Sequence, residues 1–165
     1  MEELPSGAER QLIGDELPKG SERRLVLRLL SYWHELCGDR NFPSLAEIDP
    51  TQIPDLWEHC FVLEIGGHAE NPVFRSIGAG LAEQAGLNLT DKRVTDLPEQ
   101  TLVAAAVSYV DEVLRKNVPI SRGGEYLAPD GVRVHYRSIL LPMSDDGETI
   151  SGLLGAVSCR EVTEE

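Results

Sequence analysis

The 165-residue sequence predicts an α+β fold built on a five-stranded antiparallel sheet, with a helical middle and an extra amphipathic helix at the N-terminus. Three observations carry this. Residues 118–160 read as three β-rich runs, 120–128, 132–143 and 150–159. Pro129-Asp130-Gly131 and Asp145-Asp146-Gly147 join them, and Asp-Gly between β-rich runs marks a hairpin because glycine takes the positive φ such turns need. Two shorter runs, 59–65 and 73–78, are linked through Gly66-Gly67 and Asn71-Pro72 as a second hairpin. Between the hairpins the apolar spacing turns helical.

In chain order, residues 1–20 carry Pro5, Gly7, Gly14, Pro18 and Gly20 among many acidic residues, which predicts a loosely docked acidic arm. Residues 21–38 follow as a helix, with Ser21 as N-cap, Glu22 in the first turn and Gly38 as the stop. Leu25, Leu29, Trp33 and Leu36 form one stripe, and Val26, Leu30 and Cys37 widen it. Residues 39–58 are loop-rich, since Asp49-Pro50 and Ile53-Pro54 force extended or turn conformations. Leu45, Ile48, Ile53, Leu56 and Trp57 are the expected anchors of this stretch. In the first short strand Phe61, Leu63 and Ile65 alternate with Cys60, Val62 and Glu64. A short helix over 80–85 stops at Gly86, and 87–97 is irregular. Asp96 then looks like an N-cap, with Pro98 in the first turn and Glu99 completing a capping box. The expected helix spans 97–116, striped by Val103, Val107, Val110 and Leu114. Arg115 and Lys116 sit where the helix dipole favours cations.

The middle strand of the second hairpin set alternates. Val132, Val134 and Tyr136 face one way, and Arg133, His135 and Arg137 the other. Past Ser138 this fails, because Ile139, Leu141 and Met143 fall on the face that began charged. One end of the sheet is therefore apolar on both faces and needs a second cover, either a helix of this chain or a partner. Leu25, Leu29, Trp33 and Leu36, with Ile139, Leu141 and Met143, are accordingly the expected dimer or partner surface.

Composition bounds the rest. The length suits one domain over 39–160, preceded by the arm and helix and followed by a tail at 161–165. A net charge of −13 gives no electrostatic reason to bind nucleic acid or an anionic membrane. No apolar run approaches the roughly 18 residues of a membrane-spanning helix. The opening Met1-Glu2-Glu3-Leu4-Pro5 lacks the basic and apolar parts of a signal peptide. Cys37, Cys60 and Cys159 are odd in number and widely spaced, so a cytoplasmic protein with free thiols is expected.

The element order, two strands, helical middle, three strands, resembles the PAS domain. The wording is similar to that of stand-alone, single-domain bacterial PAS-like proteins. The resembling pieces are Leu30-Ser31-Tyr32-Trp33, Phe42-Pro43-Ser44, Ala46-Glu47-Ile48-Asp49-Pro50 and Ile53-Pro54. Phe61-Val62-Leu63-Glu64, Phe74-Arg75, Ile77-Gly78, Gly80-Leu81, Gly86 and Leu89-Thr90 continue the series. Leu141-Pro142-Met143-Ser144-Asp145-Asp146-Gly147 and Leu154-Gly155 close it. The order and spacing over about 29–160 carry the likeness, since each piece alone is short. The resemblance implies a sensor or interaction module and leaves its ligand open. A small-molecule pocket would lie between the inner face of the sheet and the middle helices. Its expected lining is Phe74, Ser76, Tyr109, Tyr126, Tyr136, Ser138 and Ser158, where small polar residues in apolar strands leave room and hydrogen-bonding capacity. The alternative is that each hydroxyl is satisfied by its own sheet.

Neither haem nor flavin is supported. Haem-binding PAS domains hold iron through a histidine on or near the longest helix, and 97–116 has none. Flavin photosensors carry Asn-Cys-Arg, which no cysteine here matches. His34, His59, His68 and His135 lack metal-ligand spacing. There is no Ser-His-Asp order, no Walker loop and no zinc pattern. Glu64, Glu125 and His135 are the acid–base candidates within strands, and a small isomerase or hydratase is the catalytic alternative. The reading is a non-catalytic sensor or adaptor in bacterial signal transduction. It would act by binding a small molecule, by contacting an unknown signalling protein, or both, and is expected to be a homodimer. A pure interaction module without ligand is the nearest alternative.

Overall fold

The computed structural model describes residues 21–65, 72–85, 89–98, 101–128 and 130–162. The expected acidic arm at 1–20, the connection at 66–71 with His68, the helix stop at Gly86, the capping residue Glu99, the turn residue Pro129 and the end of the tail at 163–165 lie outside the described residues.

The five strands are β1 (Cys60–Glu64), β2 (Val73–Ile77), β3 (Ile120–Leu127), β4 (Arg133–Met143) and β5 (Gly152–Glu161). They form one sheet in the order β2-β1-β5-β4-β3, and each neighbouring pair is antiparallel. The two hairpin sets meet at the centre, where β1 pairs with β5 from Cys60↔Ala156 to Glu64↔Gly152. Leu153, Leu154, Ala156 and Val157 are accordingly buried on both faces. This join demands a glycine. The Phe61 ring lies over Gly155, where a Cβ would come within 2.4 Å of ring atoms.

Helix α1 (Ser21–Cys37) covers the outer face of the sheet. Gly38 ends it with φ +57°, a left-handed conformation that costs glycine little. Leu25, Leu29 and Trp33 pack with Cys60, Val62, Ile139, Leu141, Met143, Leu154 and Ala156, and Leu36 is half-buried beside them. Of the two covers the sequence allowed, the chain supplies its own helix. The apolar residues expected to form a partner surface bury one another within a single chain. Burying a side chain such as Leu29 contributes about 1.5–3 kcal/mol. The stretch 39–58 is pinned as its anchors imply. Ile53 and Leu56 are buried, and Leu45, Ile48 and Trp57 pack against the same cluster. The Tyr32 hydroxyl donates to Gln52 Oε1 at 2.9 Å and accepts from the Asp49 amide at 3.0 Å.

The inner face is covered by α3 (Ala79–Ala85), a 3-10 turn at Val94–Asp96, α4 (Leu102–Ala106) and α5 (Val110–Lys116). The single helix expected over 97–116 is two short ones. Its start moves because Thr101, not Asp96, is the N-cap, its hydroxyl accepting from the Ala104 amide at 3.2 Å. Asp96 instead closes the 3-10 turn and pairs with Arg93 at 3.3 Å. Residues 107–109 form the break, and Asn117 ends α5 with φ 60°. Just after β2, Gly78 packs on the short helix α2 (Pro54–Trp57). A Cβ there would lie 2.0 Å from the Trp57 carbonyl oxygen, so the close approach at this glycine is to the chain's own backbone.

Candidate functional site

The break between α4 and α5 sets the inner site. Tyr109 closes the turn at 107–109 and is buried in the inner cluster, and its hydroxyl lies 2.7 Å from Ser138 Oγ on β4. Ser138 is fully buried and its Oγ reaches the Ala106 carbonyl at 3.3 Å. The Ser121 hydroxyl of β3 donates to the Ser138 carbonyl at 2.8 Å. Two helices and two strands are thus joined through one serine. Burial pushes the Tyr109 hydroxyl well above the usual phenol range, so it stays a neutral donor and acceptor.

A charged rim borders this cluster. Arg122 Nη2 donates to both Glu112 carboxylate oxygens at 2.8 Å, and Lys116 reaches the same carboxylate at 2.8 Å. Lys116 first, and then Arg122, hold the Glu112 carboxyl below the usual carboxylate range. The Arg122 guanidinium also sits 5.6 Å from the centre of the Tyr109 ring, a cation–π distance.

Five of the seven expected pocket residues face this inner side. Phe74 is fully buried and meets Phe61 edge-on, with ring centres 5.8 Å apart. Tyr126 and Tyr136 pair at 6.2 Å near the other end. Tyr109 and Ser138 touch in the middle. Ser76 and Ser158 do not join them. A bulge shifts the β1–β2 register so that Phe74 opposes Leu63 while Ser76 opposes Val62, whose side chain belongs to the outer cluster. Ser158 opposes Arg137, on the outer face of β4. Strict alternation put Ser76 beside Phe74, and the one-residue slip reverses it.

Arg137 and the glycine pair of β3 were not singled out from sequence. Arg137 is buried on the outer face, its guanidinium lying across Gly123, where a Cβ would meet Cζ at 2.8 Å. Tyr136 covers Gly124 on the inner face, with its hydroxyl 3.1 Å from the position a Cβ would take. Two adjacent glycines inside a strand were a readable sign of close approach. The acid–base candidates sit on the outer face: Glu64 pairs with Arg75, and Glu125 pairs with Arg133 at 2.6 Å and lies 3.6 Å from His135. Among the described residues no three His, Cys, Asp or Glu side chains gather to hold a metal ion, and no helix is long and apolar enough to cross a membrane.

The family model described as PAS domain matches residues 22–158. No curated protein matches the sequence. Among solved structures, the LOV domain of the blue-light activated histidine kinase EL346 of Erythrobacter litoralis is similar at 11% identity and a TM-score of 0.48, covering 63% of this chain and 96% of that one. A PAS domain from Colwellia psychrerythraea is similar at 16% identity and a TM-score of 0.46, covering 70% and 98%. The VqmA dimer of Vibrio cholerae gives 15% identity and a TM-score of 0.47, covering 71% of this chain and 52% of that one.

Proposed function

Because the chain belongs to the PAS domain family, whose members are generally sensory or signalling modules, we propose that it is a non-catalytic regulatory domain of the bacterial cytoplasm that acts through contact with another protein. One observation carries this reading. Tyr109, Ser138 and Ala106 satisfy one another's polar groups on the inner face of the sheet, among the residues expected to line a pocket. The outer-face placement of Glu64, Glu125 and His135, each exposed or half-exposed and near an opposite charge, supports a role without acid–base chemistry. Signal output would then be a shift in a surface, which requires a partner with different affinity for two states.

A second reading, a small-molecule sensor, is favoured by a half-open cleft of about 260 Å3 between the 94–97 segment and the α4–α5 break. Its walls include Pro72, Val94, Leu97, Ala104 and Val107, with Asp111 at its edge. Mass spectrometry of the purified protein under native and denaturing conditions separates the two. The protein-contact reading expects the polypeptide mass alone in both. A small molecule retained natively and lost on denaturation would overturn it in favour of the sensor.

A further inference from the structure

The turn that separates α4 from α5 leaves one main-chain acceptor out. The Val107 amide donates to the Val103 carbonyl at 3.1 Å, and the Ser108 amide donates to the Ala105 carbonyl at 3.3 Å. Among the described residues the Ala104 carbonyl between them accepts no hydrogen bond. An open carbonyl at a helix end takes its donor from outside the helix. Ala104 is half-buried and lines the cleft of about 260 Å3 beside this turn.

The walls of that cleft are apolar and its edge is acidic. Val94 and Leu97 close one side, and Val107 and Val110, both buried members of the inner cluster, close the other. The Ser108 hydroxyl, also on the wall, donates to the Ala105 carbonyl at 2.9 Å. Asp111 stands exposed at the edge. The cations of the surrounding segments are engaged elsewhere. Arg93 pairs with Asp96 at 3.3 Å, and Lys116 and Arg122 pair with Glu112 at 2.8 Å. Among the described residues none pairs with the Asp111 carboxylate.

We propose that this cleft binds a small aliphatic monocation, a primary ammonium with an unbranched hydrocarbon tail. An ammonium has three donors and no acceptor, which matches the Asp111 carboxylate and the Ala104 carbonyl. The tail lies along Val94, Leu97 and Val107. Volume sets its size: at about 30 Å3 for each water-sized group, the cleft holds roughly nine non-hydrogen atoms. A carboxylate ligand meets only acceptors and a like charge. A hard metal ion meets apolar walls and too few oxygens. The occupant sits beside the tie between helical middle and sheet, since the Ala106 carbonyl accepts from Ser138. The inference rests on the second reading above, that this cleft takes a small molecule, and adds the chemical class.

Titration of the full chain with hexylammonium, hexanol and hexanoate at constant ionic strength tests it, read by amide chemical shifts. Hexylammonium is expected to shift the amides of 94–97 and 104–111 to saturation. Hexanol is expected to bind at least about tenfold more weakly, and hexanoate not to saturate them. Asp111→Asn keeps the size and removes the charge. It is expected to weaken hexylammonium at least about fivefold and to leave hexanol unchanged. Ala104→Leu fills the cleft and is expected to abolish both. Should that variant fail to fold, Asp111→Asn decides. Hexanol or hexanoate binding as tightly as hexylammonium overturns the cationic class and leaves the small-molecule reading standing. Shifts that never saturate, or an Asp111→Asn chain that binds hexylammonium as the parent does, also overturn the inference. The native mass then decides the small-molecule reading on its own.

Discussion

The indole Nε1 of Trp33 donates to the carbonyl oxygen of Pro142 at 2.9 Å, a buried bond between α1 and β4. Pro142 lies beyond the last β3–β4 pairing, Ile120↔Leu140, so its carbonyl takes the indole in place of a strand neighbour. Replacing Trp33 with Phe keeps an aromatic ring in the outer cluster and leaves that carbonyl unmatched. The expected loss is about 1–3 kcal/mol in urea unfolding. Leu29→Ala, at the centre of the same helix face, is expected to cost about 2–5 kcal/mol. Variants as stable as the parent would mean that α1 does not cover the sheet in solution.

Glycine positions give a graded test of the packing. At Gly78 a Cβ would meet the Trp57 carbonyl at 2.0 Å, and neighbouring Glu58 backbone atoms lie within 2.8 Å. Backbone on both sides cannot yield, so Gly78→Ala is expected to prevent folding or lower the melting temperature most. At Gly155 the obstacle is the Phe61 ring, and Gly155→Ala is expected to cost about 1–3 kcal/mol, as overpacking does. At Gly80 the nearest atoms lie 3.1 Å away, at the Glu58 carbonyl and carboxylate, and Gly80→Ala is expected to be the mildest. Thermal melts of the three variants should fall in that order. Any other order contradicts the packing of α2 against the β2–α3 junction or of β1 on β5.

Alkaline pH should destabilise the fold through its buried thiols. Burial raises the Cys60 thiol to about 12 and the Cys37 thiol to about 11, whereas an unfolded cysteine titrates near about 8.5. Below the unfolded value both states hold the proton and their contribution is complete. Above it the unfolded chain ionises first and binds fewer protons, so stability falls as pH rises toward the folded values. The urea midpoint is expected to decline between about pH 9 and 11, with Cys60 contributing up to about 1.4 kcal/mol per pH unit. Cys60→Ala should flatten that decline. An identical slope with and without the thiol would contradict its burial under α1, where its Sγ lies 3.3 Å from the Leu56 carbonyl.

Much of this architecture was legible because local chemistry and global fold agree. Asp146-Gly147 marks the β4–β5 turn, where Gly147 has φ +83°. Asp146 Oδ1 accepts from the Glu148 and Thr149 amides at 2.8 Å. Ile139, Leu141 and Met143 announced a second apolar face, and the Leu25–Leu29–Trp33 stripe supplied its cover. Long-range effects were not legible. The helix break at 107–109, where Tyr109 meets Ser138 far along the chain, carries no local signal, and propensity alone favoured continuity through Val107 and Val110. The inversion of Ser76 depends on a bulge that composition does not signal. Thr101 was passed over as a cap because Asp96 with Glu99 fits the usual capping pattern better. Of the candidate pocket, Tyr126, Tyr136 and Ser138 were read from the strands and Tyr109 from the helical middle, while the Arg122–Glu112 rim needed helix and strand in register.

The central claim is that Tyr109 and Ser138 tie the helical middle to the sheet as parts of the structure, not as groups held open for a ligand. A double-mutant cycle of Tyr109→Phe, Ser138→Ala and the pair, read by equilibrium urea unfolding, tests this most directly. The account predicts that each single variant loses about 1–3 kcal/mol and that the double variant loses at least about 0.5 kcal/mol less than their sum. Single variants of unchanged or increased stability whose effects simply add would contradict it, and would mark the two hydroxyls as a binding site instead.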